Sequence, residues 1–131
     1  MNGARNKINE FLNEKEIAVV GASRNPAKYG NIVFKKLKSA GYLVYPVNPR
    51  ADLVDGQRAY PDLASLPETV RAAVVVVPPE ISEKIAAQAV AAGFRYIWFQ
   101  PGAESETAIS LLEAAGISVI HGTCLLVRVS P

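Results

Sequence analysis

Residues able to handle a charged small molecule fall in a few short stretches of this sequence. Gly21, Ala22 and Ser23 follow the apolar run Ile17-Ala18-Val19-Val20. A glycine there lets backbone pass close to a ligand, and a serine hydroxyl and N–H near a helix start suit an anion. Asn25, Lys28 and Tyr29 continue the same wall, with Lys28 adding a mobile positive charge. Together these residues suit a pyrophosphate. The same glycine also suits any tight turn, and the same lysine a solvated surface.

A second stretch, Val47-Asn48-Pro49-Arg50, ends another apolar run. NAD sites place an acid roughly 20 residues after the glycine turn, on the ribose 2′-hydroxyl. Here the turn is not a full G-x-G-x-x-G, and the acid's region offers Asn48 and Arg50 instead. A positive group suits a phosphorylated ribose, the 2′-phosphate of NADP or the 3′-phosphate of coenzyme A. An exposed loop arginine explains Arg50 equally well. Val77-Pro78-Pro79, Gln100-Pro101-Gly102 and His121-Gly122-Thr123 complete the set of polar and turn-forming loops.

His121 is the only histidine and Cys124 the only cysteine. His121 either touches a ligand, caps a strand or hydrogen-bonds to backbone, and one histidine without an orienting partner is thin ground for catalysis. Cys124 is either a nucleophile, a thiol open to a mixed disulfide with a ligand thiol, or a core cysteine. The following Leu125-Leu126-Val127 favours the core. There is no metal-ligand spacing and no G-x-S-x-G elbow. Glu104 and Glu106 fall at a helix start, where acids serve the dipole.

The elements that must position these residues follow from hydrophobic periodicity. Helices are predicted over 5–14 (Ile8, Phe11 and Leu12 inward), 29–40 (Val33, Phe34 and Leu37 inward, Gly41 as cap), from Glu80 to Gly93, and over 104–115. Strands alternate with them, which argues for a parallel sheet with helices on both faces. The expected fold is α/β, a single Rossmann-like doubly wound sheet. Its expected strand order is 57–59, 43–47, 17–21, 72–77, 94–99, 117–120, the first being a short edge strand. One helical turn is expected at 62–65, and an apolar tail over 124–129 must dock on the body. Trp98 and Phe99 are expected in the core for at least one of the two, the other reading being a dimer face. Ligands in such sheets sit beyond the carboxyl ends of the strands, where strand order reverses. That point falls between 17–21 and 72–77, so all the loops named above meet at one rim.

The chain has 131 residues, half of them hydrophobic, which suits one domain over 1–131 with residues 1–15 packed on it. A formal charge of +2 is too small to make nucleic acid the main partner. No run approaches the roughly 20 apolar residues of a membrane helix, and residues 1–15 lack a signal-peptide core. With a single cysteine no internal disulfide forms, and a cytoplasmic location is expected.

The motifs Val19-Val20-Gly21-Ala22-Ser23-x-x-Pro26-x-Lys28-x-Gly30, Tyr45-Pro46-Val47-Asn48-Pro49, Val75-Val76-Val77-Pro78-Pro79 and Trp98-Phe99-Gln100-Pro101-Gly102-Ala103 have a joint meaning. From about residue 10 to the end, the chain resembles the small stand-alone CoA-binding domain proteins. Their fold also forms the nucleotide domain of succinyl-CoA synthetase alpha subunits and of NDP-forming acyl-CoA synthetases. The resemblance implies that Gly21, Ala22 and Ser23 meet the phosphates and that Asn25, Lys28 and Tyr29 extend that wall. It further implies Val47, Asn48 and Arg50 at the adenosine end, Val77 and Pro78 under adenine and ribose, and Gln100, Pro101 and Gly102 under the pantetheine arm. The family often carries a polar or charged residue and a basic one before its C-terminal cysteine; this chain has His121-Gly122-Thr123-Cys124.

The expected function is binding of coenzyme A or an acyl-CoA by a non-catalytic module, carrier or sensor. The alternatives are an NADP-binding oxidoreductase-like domain and a synthetase subunit active only with a nucleotide-grasp partner. A homodimer or a partner protein is compatible with either, and fold alone does not choose among them.

Overall fold

The computed structural model describes residues 3–129. In chain order the elements are α1 (Gly3–Asn13), β1 (Glu16–Val20), α2 (Tyr29–Ser39), β2 (Leu43–Val47), β3 (Leu53–Val54), β4 (Gln57–Arg58), β5 (Ala72–Val75), α3 (Pro79–Ala92), β6 (Tyr96–Phe99), α4 (Glu106–Ala114) and β7 (Ser118–Ile120), with a 3-10 turn at Leu125–Val127. Five strands form a parallel sheet in the order β2-β1-β5-β6-β7. This is the expected Rossmann-like architecture, and strand order reverses between β1 and β5 as anticipated.

Each strand feeds both faces of the sheet because successive side chains alternate. Ile17, Val19, Val44, Ala72, Val74, Trp98 and Ile120 meet Ile8 and Phe11 of α1 and Val33, Phe34 and Leu37 of α2. Ala18, Val20, Val47, Ala73, Val75, Ile97, Phe99 and Val119 meet Ile85, Ala86 and Ala89 of α3 and Ala108 and Leu112 of α4. Trp98 and Phe99 are both fully buried, on opposite faces, so neither marks a dimer surface. Phe11 stands edge-on to Trp98, with ring centroids 5.3 Å apart. That contact seats α1 near the β7 edge, where Lys7 also reaches the Val119 carbonyl at 3.5 Å.

Several local expectations are corrected. Residues 57–59 do not extend the main sheet as a strand. β4 pairs antiparallel with β3, and only a bridge between Val47 and Tyr60 touches the sheet edge. The cause is Asp55-Gly56, whose positive φ angles of 49° and 78° close a two-residue hairpin. Residues 62–65 form no helix: Asp62 Oδ1 accepts from the Ser65 N–H at 3.0 Å and holds a simple turn. β5 stops at Val75, although the Val76 N–H still bonds the Val20 carbonyl at 2.8 Å. α4 starts at Glu106 because the Ser105 side chain caps it, and Glu104 instead accepts from the Gly102 N–H at 2.6 Å. Glu104 therefore organises the preceding loop rather than serving the helix dipole. The tail docks as a short turn with Leu125 and Val129 buried in the α1–α2 layer, while Val127 is exposed.

Two close approaches hold β1, β5 and α2 together. Gly21 has φ +94°, and a side chain there would overlap the Val76 carbonyl oxygen. Gly30, in the first turn of α2, lies so close to Gly21 that a Cβ would overlap the Gly21 carbonyl oxygen. Backbone on both sides leaves no flexible atom to yield. Gly30→Ala is expected to cost about 1–3 kcal/mol by overpacking, read as a lower urea midpoint with an unchanged slope.

At the other end of the sheet Tyr45 donates a 2.6 Å hydrogen bond to Glu16 Oε2. That bond, then burial, then the nearby Glu16 and Tyr60 charges push the Tyr45 pKa up to about 12. An unfolded tyrosine ionises near pH 10. The raised value therefore stabilises the fold below about pH 10, and this share is lost as pH rises toward 12. Tyr45→Phe should flatten that part of the stability curve, measured by urea unfolding across the alkaline range.

Candidate functional site

The carboxyl ends of β1, β2, β5 and β6 bring most of the expected residues to one rim. β1 delivers Gly21, whose N–H bonds the Val47 carbonyl of β2 at 3.0 Å. The loop then runs to Lys28, the N-cap of α2, in extended conformation and without a side-chain cap. Uncapped first-turn N–H groups, with the helix dipole behind them, favour negative charge. Arg24, Lys28 and Arg50 are exposed around this end.

The loop's own polar groups fix its shape. The Ser23 hydroxyl accepts from the Asn25 N–H at 3.1 Å, and Asn25 Oδ1 accepts from the Ala27 N–H at 2.9 Å. Asn31, fully buried in α2, donates to the Ser23 carbonyl at 2.7 Å and to Asp55 Oδ1 at 3.3 Å. From the other side Asn48 Nδ2 donates to the Ala22 carbonyl at 2.8 Å, and its Oδ1 accepts from the Arg50 N–H at 2.8 Å. The Asn25 and Asn48 side chains thus hold backbone, and the exposed Arg24, Lys28 and Arg50 supply positive charge around this end.

Beyond β5 and β6 an open cleft of about 470 Å³ is lined by Tyr29, Val76, Val77, Pro78, Gln100, Pro101 and neighbouring residues. Pro78 is the N-cap of α3 and Pro79 begins it, so this helix start offers apolar surface where α2 offers N–H groups. The cleft is therefore mainly apolar next to a polar, basic loop. Gln100 is fully buried beneath it, and its Oε1 accepts from the Tyr29 hydroxyl at 3.1 Å and the Leu125 N–H at 3.0 Å.

Cys124 departs from expectation. It is half-buried rather than a core residue, and its sulfur contacts the Tyr29 hydroxyl. Burial first, then the hydrogen bond and charge of Cys124, hold the Tyr29 pKa well above the usual tyrosine value. Tyr29 stays a neutral hydroxyl across the ordinary pH range. His121 is exposed. Among the described residues no group of three or more His, Cys, Asp or Glu side chains is placed to hold a metal ion, and no helix is long and apolar enough to cross a membrane.

Reasoning from the sequence missed Asn31, the structural demand on Gly30, and the pairing of Tyr29 with Cys124. Gly30 had a signal, a glycine in the first turn of an otherwise regular helix. Asn31 had a weaker one, a polar residue beside the buried helix positions Val33 and Phe34. The Tyr29–Cys124 contact spans 95 positions and carries no local signal.

Comparison with known proteins agrees with this architecture. A family model described as a CoA binding domain matches residues 15–130. The alpha subunit of an ADP-forming acetate–CoA ligase II from Pyrococcus furiosus is 31% identical over 129 residues, covering 90% of this chain. The chain spans only 28% of that relative's length. The uncharacterized protein YneT of Bacillus subtilis is 31% identical, with 96% of this chain and 94% of YneT covered. A solved structure of a conserved hypothetical protein from Pyrococcus furiosus superposes with a TM-score of 0.84 at 49% identity, covering 87% of this chain and 98% of the other. With its glycine-bound β1–α2 loop, its rim cleft and a family match over nearly its whole length, this chain belongs to the CoA binding domain family.

Proposed function

We propose that this protein binds coenzyme A or an acyl-CoA at the rim, as a non-catalytic module that carries or senses the thioester. One observation carries the reading: in a chain of the CoA binding domain family, an uncapped helix start beside exposed cations adjoins a mainly apolar cleft. CoA has the same division, an anionic nucleotide end and a long, weakly polar pantetheine arm. The pyrophosphate is assigned to Gly21, Ala22 and Ser23 with the first turn of α2, where Lys28 adds charge and Asn25 shapes the loop. Arg50 meets the 3′-phosphate, with Val47 and Asn48 holding that end of the rim. Val77 and Pro78 support adenine and ribose, while Tyr29, Gln100, Pro101 and Gly102 line the arm's path.

NADP is the weaker choice, because the ligase relative is named for CoA chemistry. A second reading, a subunit that works with a partner protein, is favoured by one fact. That relative is named as a subunit alpha, and this chain matches 28% of it. The near full-length match to YneT favours a module that stands by itself.

Isothermal titration with CoA, 3′-dephospho-CoA and NADP tests the assignment. CoA is expected to bind and NADP to bind at least about tenfold more weakly. Lys28→Ala should weaken both CoA forms by roughly three- to tenfold, as loss of one phosphate contact at a solvated site. Arg50→Ala should weaken CoA by a similar factor and leave 3′-dephospho-CoA unchanged. Tighter binding of NADP than of CoA, or equal loss for both CoA forms in Arg50→Ala, overturns the corresponding part.

A further inference from the structure

Three groups converge beneath the cleft. The Tyr29 hydroxyl and the Leu125 N–H both donate to Gln100 Oε1, at 3.1 Å and 3.0 Å. Two donors on one atom fix which end of the amide is oxygen. The remaining end, Gln100 Nε2, is buried without a partner among the described residues, in a side chain with 0% exposure. Sharing the amide with Oε1, Nε2 lies in the same cluster as the Tyr29 hydroxyl, which in turn contacts the Cys124 sulfur. A buried donor without an acceptor is costly, and its persistence marks a place where something else supplies the acceptor. Tyr29 and Gln100 both line the cleft. A ligand chain rich in carbonyls and ending in sulfur matches this set: an amide carbonyl for Nε2 and a sulfur for Cys124.

We infer that Cys124 captures the sulfur of bound CoA as a mixed disulfide, with Tyr29 and Gln100 positioning the two partners. This rests on the CoA reading above. The step is thiol–disulfide exchange, and its oxidant is the symmetric disulfide of CoA. The Cys124 thiolate attacks one sulfur of that disulfide. A bond forms between Cys124 and one CoA, the bond between the two CoA sulfurs breaks, and the second CoA leaves as a thiolate. Cys124 is oxidised, the departing sulfur is reduced, and the proton released by Cys124 ends on the departing CoA through solvent. Tyr29 has a part in both states. Beside a thiol it accepts from S–H while donating to Gln100; beside a thiolate its O–H turns to the sulfur, and a hydrogen bond to an ion is the stronger kind. Burial keeps that proton on Tyr29. Gln100 Oε1 meanwhile retains the Leu125 N–H.

The test is intact-mass spectrometry of the full chain after exposure to CoA disulfide, beside a calorimetric titration with CoA. A single CoA adduct that dithiothreitol removes is expected, and no adduct in Cys124→Ser. At equal concentration, oxidised glutathione should react at least about tenfold more slowly, since only CoA is held in place. Tyr29→Phe should slow capture roughly tenfold or more even at saturating CoA disulfide, through loss of a hydrogen bond to the thiolate. Equal rates with glutathione disulfide overturn the inference, because they describe an ordinary accessible thiol. So does an adduct formed from acetyl-CoA but not from CoA disulfide, which makes Cys124 an acyl acceptor. If CoA binds and no adduct forms, this inference alone falls; if CoA does not bind, the binding reading falls with it.

Discussion

The contact between Gly30 and the Gly21 carbonyl is the constraint on which the rim depends. Backbone meets backbone there with no room for a Cβ on either residue. It draws the start of α2 against the end of β1, and Gly21 in turn lies against Val76 beyond the end of β5. Two strands and a helix are thereby locked at the point where strand order reverses. That location is where a parallel sheet opens a crevice. A side chain added at Gly30 pushes α2 away from the loop it serves, and one added at Gly21 drives that loop against the Val76 carbonyl.

Buried amides continue the same work with polar groups. Asn31 ties the Ser23 loop to the β3–β4 hairpin through Asp55, while Asn48 ties Ala22 to the segment carrying Arg50. Gln100 joins the β6 loop to Tyr29 of α2 and to the tail at Leu125. Each amide bonds both of the strands or loops it lies between, so the rim is braced although its backbone is irregular. Asn31 Oδ1 and Gln100 Nε2 are the buried polar atoms left without partners among the described residues. Both lie under the rim and not in the α3–α4 layer. The buried serines Ser82 and Ser105 of the other layer are hydrogen-bonded, so the unmatched polar atoms are confined to the rim.

Most of the fold was legible because its signals are local. Ile17–Val20 and Ala72–Val75 are buried runs, as strands covered on both faces must be, and α2 repeats apolar residues at helical spacing. The misreadings lie where a side chain or a turn geometry overrides periodicity. Asp55-Gly56 folded 57–59 back onto 53–54, and Ser105 moved the start of α4 past Glu104. The loops gathered at the rim were anticipated, but the jobs of their side chains were only partly so. Asn48 and Asn25 bond backbone, where composition alone suggests polar groups facing a ligand.

By itself the sequence determined the alternation of strands and helices, the order of the five parallel strands and the loops that share one end of them. Those follow from periodicity, glycine and proline punctuation and the handedness of crossovers, all properties of short segments. Tertiary structure alone decided which side chains meet. Tyr29 reaches Gln100 across 71 positions and Cys124 across 95, because the tail after β7 packs back over the α1–α2 layer. Leu125 and Val129 dock there by burial, and their docking leaves the neighbouring Cys124 half-buried with its sulfur against the Tyr29 hydroxyl. Burial of apolar area is non-directional, so a leucine run foretells that the tail will dock and not what its neighbouring thiol will face.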